Sequence, residues 1–280
     1  MPELPEVETV RLGLEKVLVG RRLSEVRIMR PNLRFPFPIG FQDALKNKRV
    51  ERLNRRGKFL LLDLDSRKTL IAHLGMSGHF KIYPSEQPEI EIHDHVLIEV
   101  EGGLSIRFND PRRFGFMDLV DTDKLASSNF FKNMGPEPLE NNFNGPSLIK
   151  SLAGRRSPIK TVLLDQSVVA GLGNIYVSEA LFRAGLSPKR LAVNITGVRA
   201  EVLVTAIRNV LVDAIAAGGS SLRDHRKPTG ELGYFQHCFS VYGRAGMACS
   251  GCVCEVKKTG GVKKIYQSGR STFYCALKQR

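Results

Sequence analysis

The sequence has no apolar run that approaches the roughly 20 residues of a membrane-spanning helix. Its opening, MPELPEVETV, is acidic and has neither the basic segment nor the apolar core of a signal peptide. Cysteine is scarce, with five residues in a chain of 280, and an odd number that does not suit a disulfide scaffold. These absences argue against a membrane or disulfide-rich secreted protein, and we expect a cytoplasmic one.

Acidic residues are also in deficit. The chain has 28 Asp and Glu against 42 Lys and Arg, for a formal net charge of +14. Residues 244–280 carry eight Lys or Arg against a single acid, Glu255. Cations that neutralise phosphates release counterions, so this excess favours a polyanionic partner over a merely solvated surface. Nucleic acid is the expected partner, with the basic tail as a phosphate-binding module.

The hydrophobic pattern changes along the chain. Apolar residues share one face of a predicted helix over 5–19. From 22 to 120 short strands follow one another, including a pair at 95–100 and 104–108 that flanks two glycines and predicts a hairpin. Repeated short strands with turn signals indicate a sandwich or barrel.

The second half is helical. A linker rich in Ser, Asn, Pro and Gly is followed by apolar i, i+4 repeats that predict a long helix over 198–217. The tail is again short, turn-rich and cysteine-bearing. We therefore predict a multi-domain α+β protein, divided into a β-sandwich at 1–125, a linker at 126–150, a helical domain at 151–239 and a cysteine-bearing hairpin at 240–280.

The first residues after Met1 have a specific chemical potential. Removal of Met1 leaves Pro2 with a secondary amine, and an α-amino group with a pKa of about 7.7–8.0 is partly neutral near physiological pH. Neutral amine is the nucleophilic form, and its attack on a sugar C1′ gives an iminium that acidifies the C2′ proton. Glu3 is adjacent and suits general acid–base work. Taken alone, however, these residues are more typical of an ordinary helix start.

Several motifs change that balance. The PELPEVET opening, together with the segments RRGKF, HLGMSG, NDPRRFG and VAGLGNIY, resembles the bacterial formamidopyrimidine-DNA glycosylase family over essentially the whole chain. The resemblance implies an N-terminal β-sandwich, an α-helical domain with a helix–two-turn–helix, and a zinc-ribbon-like hairpin. It implies a monomeric base-excision repair enzyme that removes oxidised purines, 8-oxoguanine and formamidopyrimidines, from double-stranded DNA and then nicks the abasic site.

The resemblance also assigns catalytic roles. Pro2 is expected to be the Schiff-base nucleophile, Glu3 the acid at the glycosidic step, and Glu6 a supporting carboxylate. Lys58 is expected to be a general acid in β-elimination. Arg270, on the tail hairpin, is expected to contact phosphates around the lesion and to assist δ-elimination.

Other residues are expected to contact DNA. Met76 would fill the hole left by an everted nucleotide, Arg112 would face the widowed base, and Phe114 would wedge into the stack. Chemistry on a base requires flipping it out, and inserted apolar side chains offset the unstacking cost. Without the resemblance, the HLGMSG and NDPRRFG segments that contain these residues would be interpreted as ordinary turns.

The remaining contacts are to the DNA backbone. The spacing of His93 and His95 is compatible with a metal site, but the resemblance implies that His93 contacts DNA and that Asp94 and His95 are structural. Lys160 and Asn174 are expected to bind phosphates around a helix N-terminus. The segment that begins at Gly218 is expected to start a mobile loop over the flipped base.

The tail departs from the family pattern. Cys249, Cys252 and Cys275 match three of the four zinc ligands of the ribbon, but Lys278 stands at the fourth position. An ammonium with a pKa of about 10.4 is a poor ligand. We expect one structural zinc ion whose fourth ligand is open among Cys254, His237 and Cys238. The alternative is a ribbon without metal, held by packing of Ile265, Phe273 and Tyr274.

Three rival functions stay open. The same chemistry with a preference for pyrimidine lesions is disfavoured by Leu4 in the opening. A non-catalytic binder of damaged DNA is disfavoured by the presence of Pro2, Glu3 and Lys58. A structural zinc-ribbon protein would leave the match at the N-terminus unexplained.

Overall fold

The computed structural model of the chain describes residues 2–84, 88–220, 228, 233–253 and 255–280. The chain forms two compact units. The first comprises Met1–Lys132 and Ala217–Tyr234, and the second comprises Asn133–Ala216 and Phe235–Arg280.

In the described part of the first unit, the chain forms two antiparallel four-stranded sheets and two α-helices. The strand orders are β1-β6-β7-β5 and β2-β3-β4-β8. One hydrophobic core takes buried side chains from both sheets and from α1, which confirms the predicted sandwich. The elements are α1 (Leu4–Leu18), β1 (Leu23–Ile28), α2 (Phe41–Leu45), β2 (Val50–Arg56), β3 (Phe59–Leu64), β4 (Lys68–His73), β5 (His79–Tyr83), β6 (Asp94–Val100), β7 (Leu104–Asn109) and β8 (Phe116–Asp121).

Two predicted elements of this unit are present within a residue or two. Helix α1 begins one residue earlier than expected and buries the apolar face that the sequence pattern predicted. The β6–β7 hairpin pairs Val100 with Leu104 across Gly102 and Gly103, whose φ angles are 93° and 81°. Side chains with a Cβ rarely adopt such angles, so the two glycines make the turn possible.

The second unit is helical and ends in a hairpin. The predicted long helix is confirmed as α6, which packs against α3 and α5. Among the described residues, no helix is both long and apolar enough to span a membrane. The elements are α3 (Gly145–Leu152), α4 (Ile159–Leu163), α5 (Asn174–Arg183), α6 (Val198–Ala216), α7 (Val256–Thr259), β9 (Lys263–Gln267) and β10 (Arg270–Tyr274).

A buried carboxylate ties α5 to the chain that enters the cysteine-bearing tail. Glu179, only 1% exposed, accepts hydrogen bonds from three successive backbone N–H groups. Its Oε2 lies 2.9 Å from Ser240 N, and its Oε1 lies 3.0 Å from Val241 N and 2.8 Å from Tyr242 N. Beside this turn, Phe182 of α5 packs in a small core with side chains of the tail. The tail is therefore anchored to α5 by charge-assisted hydrogen bonds and by apolar contacts.

The Glu179→Gln variant should lower the free energy of unfolding by about 1–3 kcal/mol, because an amide cannot accept from all three donors. Urea denaturation of both proteins measures the difference. Asp213→Asn is the matched control, because Asp213 is 55% exposed and forms a surface ion pair with Arg183 on α5. That pair should be worth at most about 1 kcal/mol. Equal losses in the two variants would show that the turn at Glu179 is not an anchor.

Candidate active site

The start of α1 is buried and capped. Pro2 and Glu3 precede the helix, and both are buried. Glu3 and Glu6 form a capping box in which the backbone N–H of Glu3 donates to Glu6 Oε2 at 2.9 Å. Pro5 stands in the first turn, where a missing N–H costs nothing. These features give the residues before the helix a fixed position.

The second oxygen of Glu6 binds another segment of the same unit. Glu6 Oε1 accepts from Ser220 N at 2.8 Å and from Ser220 Oγ at 3.0 Å. A Cβ on Gly219, whose φ is +77°, would lie 3.1 Å from Glu6 Oε1, so glycine allows this close approach. The segment expected to become a mobile loop thus starts against α1, and its residues 221–227 and 229–232 lie outside the described part of the chain.

Lys58 lies in the turn between β2 and β3, and an ion pair joins this turn to α1. Arg55 Nε lies 2.9 Å from Glu8 Oε2, and Arg55 Nη1 donates to Gly57 O at 3.0 Å. The two charged side chains are 10% and 17% exposed. Because Glu8 is on the helix that follows Pro2 and Glu3, this pair connects α1 to the turn that contains Lys58.

His73, at the end of β4, bonds the turn that contains Met76, and no sequence pattern indicated this role. Its ring lies 4.8 Å from the ring of Phe59 and 5.3 Å from that of Phe116, and its Nδ1 accepts from Gly75 N at 3.0 Å. Burial, followed by the charges of Lys58 and Arg34, lowers the pKa of His73 to about 4. His73 is therefore a neutral acceptor at pH 7, and it supports the turn that contains Met76.

The residues expected to enter the base stack lie on two loops of the first unit. Met76 is half-buried in the turn after β4, and Arg112 is exposed between β7 and β8. Phe114 is 42% exposed, and the guanidinium of Arg112 lies over its ring, 5.0 Å from the centroid. An exposed aromatic ring backed by a cation is suited to stacking against bases beside phosphates.

The three residues of the HDH segment, His93, Asp94 and His95, differ in burial and in partners. Asp94 accepts from Arg107 Nη1 at 3.3 Å and from Asn109 Nδ2 at 2.8 Å, and it is 2% exposed. His95 Nε2 bonds Asp110 O at 2.9 Å and is likewise buried. His93 lies in the turn before β6 and is only half-buried. Asp94 and His95 therefore have structural partners, whereas His93 is accessible to a ligand.

In the second unit, two predicted phosphate ligands hold the tail hairpin. Lys160 Nζ donates to Ser271 O at 2.8 Å and to Thr272 Oγ1 at 2.6 Å, and Asn174 Nδ2 donates to Ser271 O at 3.0 Å. Arg270 is the residue before this carbonyl, and it is exposed at the start of β10. Both side chains thus fix the backbone next to Arg270, and their binding of phosphate stays a prediction.

Three cysteines of the tail could hold a metal ion. The Sγ atoms of Cys249, Cys252 and Cys275 lie within 4.8 Å of one another, with 3.0 Å between the first two and 3.5 Å between the last two. Thiolates at a Zn–S distance of about 2.3 Å around a tetrahedral ion would be similarly spaced. Each of the three cysteines offers one sulfur atom to the same ion.

The fourth ligand is not among the described candidates. Lys278 Nζ lies over the ring of Phe182, 4.2 Å from the centroid, in a cation–π contact. Among the described residues, the metal-binding group includes neither His237 nor Cys238, and Cys238 is exposed. Cys254 lies outside the described residues. The donor set fits a soft metal ion with three thiolates and leaves one position to another ligand.

Comparison with known families identifies the class. The family model described as the formamidopyrimidine-DNA glycosylase N-terminal domain matches residues 1–117, and the one described as the H2TH domain of that enzyme matches residues 134–226. The first match covers most of the β-sandwich unit, and the second covers most of the helices of the other unit. The chain is therefore a DNA glycosylase of the class that contains a helix–two-turn–helix element.

Individual relatives narrow the class to one family. The formamidopyrimidine-DNA glycosylases of Rhodospirillum rubrum and Cereibacter sphaeroides are 55% and 53% identical to the chain, each over the whole of both proteins. The solved structure of MutM (Fpg) from Thermus thermophilus has a TM-score of 0.86 at 38% identity, covering 99% of this chain and 98% of that one. Lactococcus lactis Fpg in complex with abasic-site DNA has a TM-score of 0.88 at 33% identity and 99% coverage of both. The chain belongs to the formamidopyrimidine-DNA glycosylase family.

The half-buried His73, which is neutral at pH 7, predicts a specific pH dependence. The unfolded chain, in which His73 has a pKa near 6.5, binds a proton that the folded protein excludes down to about pH 4. Stability should therefore fall as the pH drops through this window, by roughly 3 kcal/mol at pH 4 from this group alone.

The His73→Gln variant should lose this contribution, so its unfolding free energy should fall less steeply between pH 6.5 and 4 than that of the unaltered protein. Urea denaturation at several pH values gives the slope of unfolding free energy against pH for each protein. The comparison uses only these slopes, so a difference in overall stability between the two proteins does not affect it. Identical slopes would show that His73 is not buried as a neutral base.

Proposed function

We propose that the protein excises oxidised purines, 8-oxoguanine and formamidopyrimidines, from double-stranded DNA with Pro2 as nucleophile, and then nicks the strand. The observation that carries the proposal is the buried, doubly capped start of α1, which holds Pro2 and Glu3 in place. Family membership supports the substrate, since a Lactococcus lactis relative, 33% identical, has been solved with DNA that contains an N7-benzyl-Fapy-dG lesion.

The reaction begins at the Pro2 amine. After removal of Met1, the neutral amine attacks C1′ of the damaged nucleotide, the base leaves, and a cationic iminium forms between Pro2 and the sugar. Glu3, the adjacent carboxyl group, moves the proton at this glycosidic step. Glu6 does not react, because its two oxygens accept from Glu3 and Ser220 and hold the nucleophile in position.

Strand cleavage follows from the iminium. Loss of the acidified C2′ proton expels the 3′ phosphate, with Lys58 as the general acid in this β-elimination. A second, δ-elimination expels the 5′ phosphate, with Arg270 binding the phosphate charge. The strand is then nicked and has lost the sugar. Arg55 and Glu8 support this chemistry by joining α1 to the turn of Lys58.

DNA is bound and distorted by both units. Met76 and Phe114 replace the everted nucleotide in the stack, and Arg112 faces the widowed base. His93, Lys160 and Asn174 bind backbone phosphates. Asn174 is the first residue of α5, where the positive end of the helix dipole favours an anion. We further propose that the enzyme acts as a monomer in the cytoplasm, where a bacterium keeps its DNA.

The tail is proposed to bind one structural zinc ion through Cys249, Cys252 and Cys275. Three thiolates suit zinc, and a bound ion would add folding energy to a small module that carries Arg270. The hydrophobic core of Phe182, Val262 and Phe273 packs against the three cysteines and so helps to hold them close together.

Borohydride trapping tests the catalytic proposal. A duplex with 8-oxoguanine opposite cytosine is incubated with the enzyme and borohydride, and the crosslinked peptide is identified by mass spectrometry. The adduct should lie on Pro2, and a duplex with thymine glycol should give far less. No adduct despite tight binding would indicate a non-catalytic binder. An adduct on a lysine would overturn the role of Pro2, and equal trapping with thymine glycol would overturn the purine preference.

Metal analysis of the reduced, purified protein tests the zinc proposal. About one zinc ion per chain is expected, and Cys275→Ser should lose it, because one of three thiolates is removed. Cys238→Ser is the matched control and should keep the ion, since this cysteine is exposed and outside the group. Loss of zinc in Cys254→Ser would identify the fourth ligand. Absence of zinc from the reduced, unaltered protein would contradict the proposal.

A further inference from the structure

Two loops of the first unit cross side by side between its two sheets. The Met76 loop (residues 73–78) leads from β4 to β5, and the Phe114 loop (residues 110–115) leads from β7 to β8. The strands pair at both ends of the loops, because His73 is opposite Phe116 and His79 is opposite Asn109. Each loop therefore begins beside the point where the other ends.

One buried carboxylate bonds both loops. Asp110 is fully buried, its Oδ1 accepts from Ser77 Oγ at 2.5 Å, and its Oδ2 accepts from Gly115 N at 2.8 Å. Ser77 Oγ in turn accepts from Arg112 N at 3.1 Å. The side chains of Asp110 and Ser77 thus connect the turn that contains Met76 to the backbone on both sides of Phe114.

The backbones of the two loops are also in direct contact. A Cβ on Gly75 would lie 2.2 Å from the carbonyl carbon of Phe114 and 2.3 Å from the nitrogen of Gly115. The φ angle of Gly75 is +62°, which side chains with a Cβ rarely adopt. Residues next to Met76 therefore touch the peptide bond of Phe114, and one loop cannot shift without displacing the other.

From this arrangement we infer that Asp110 and Ser77 are positioning residues that make Met76, Arg112 and Phe114 enter the DNA as one preformed unit. The inference rests on the proposed function, in which these three side chains replace the everted nucleotide. Groups held in place beforehand lose less conformational freedom on binding than groups on two independent loops. The coupling acts on eversion of the base, whereas the chemistry at Pro2 does not depend on it.

The test compares a substrate that must be everted with one that need not be. The Ser77→Ala variant removes the donor to Asp110 and the acceptor for Arg112 N. Asp110→Asn is a second variant that keeps the shape of the side chain. Asp118→Asn is the matched control, because this carboxylate on β8 accepts from the neighbouring Leu119 N.

Three quantities are measured for each protein. Single-turnover excision of 8-oxoguanine from a duplex and the fluorescence of a 2-aminopurine next to the lesion report base eversion. Borohydride trapping on a single-stranded abasic oligonucleotide reports the chemistry without a base stack. Ser77→Ala and Asp110→Asn should each lower the rate of excision and the rate of the fluorescence change about tenfold. A tenfold change in rate corresponds to the loss of about one buried hydrogen bond. Trapping should stay within about twofold of the unaltered protein, and Asp118→Asn should change none of the three.

Each other outcome overturns the inference. If excision and single-stranded trapping fall together, Asp110 and Ser77 serve the fold as a whole. If the fluorescence step keeps its rate in both variants, the two loops do not enter as a unit. A failure of the proposed function is distinguishable, because the unaltered protein would then form no Pro2 adduct on either substrate.

Discussion

The carboxylate of Glu6 is the constraint on which the proposed active site depends. One oxygen accepts from the backbone of Glu3, and the other accepts twice from Ser220. A terminal amine on a flexible chain end would be a poor nucleophile, because its position would have to be fixed again for every substrate. Here the capped and buried helix start provides that order before DNA arrives, and both oxygens of Glu6 contribute to it.

Polar side chains also fix the backbone near other predicted site residues, in both units of the chain. In the first unit, Arg55 joins α1 to the turn of Lys58, and Asp110 joins the two loops that carry Met76 and Phe114. In the second unit, Lys160 and Asn174 hold the carbonyl that follows Arg270. In each case a buried or half-buried polar side chain fixes the backbone beside a predicted site residue that is exposed or half-buried. Rigid support of this kind suits an enzyme that must distort a stiff polymer.

Periodicity and motifs predicted much of this molecule from its sequence. Helix α1, the β6–β7 hairpin and α6 follow from local patterns of apolar residues and glycines, and the family resemblance is confirmed. The roles of Pro2, Lys58 and the DNA-contacting residues stay predictions. Glu6 was expected to be a supporting carboxylate, but its bond to Ser220 was missed because the two residues are remote in the chain. Ser220 is 214 positions from Glu6, and no local pattern signals such a bond.

The nucleophilic role of Pro2 has a quantitative consequence that tests it most directly. Preparations with different extents of Met1 removal, measured by intact mass, are trapped to completion with borohydride on excess 8-oxoguanine duplex. The trapped fraction should equal the processed fraction and extrapolate to zero, because the Pro2 nitrogen is a non-nucleophilic amide while Met1 is retained. Equal trapping of protein that retains Met1 would contradict the assignment and move the nucleophile to another residue.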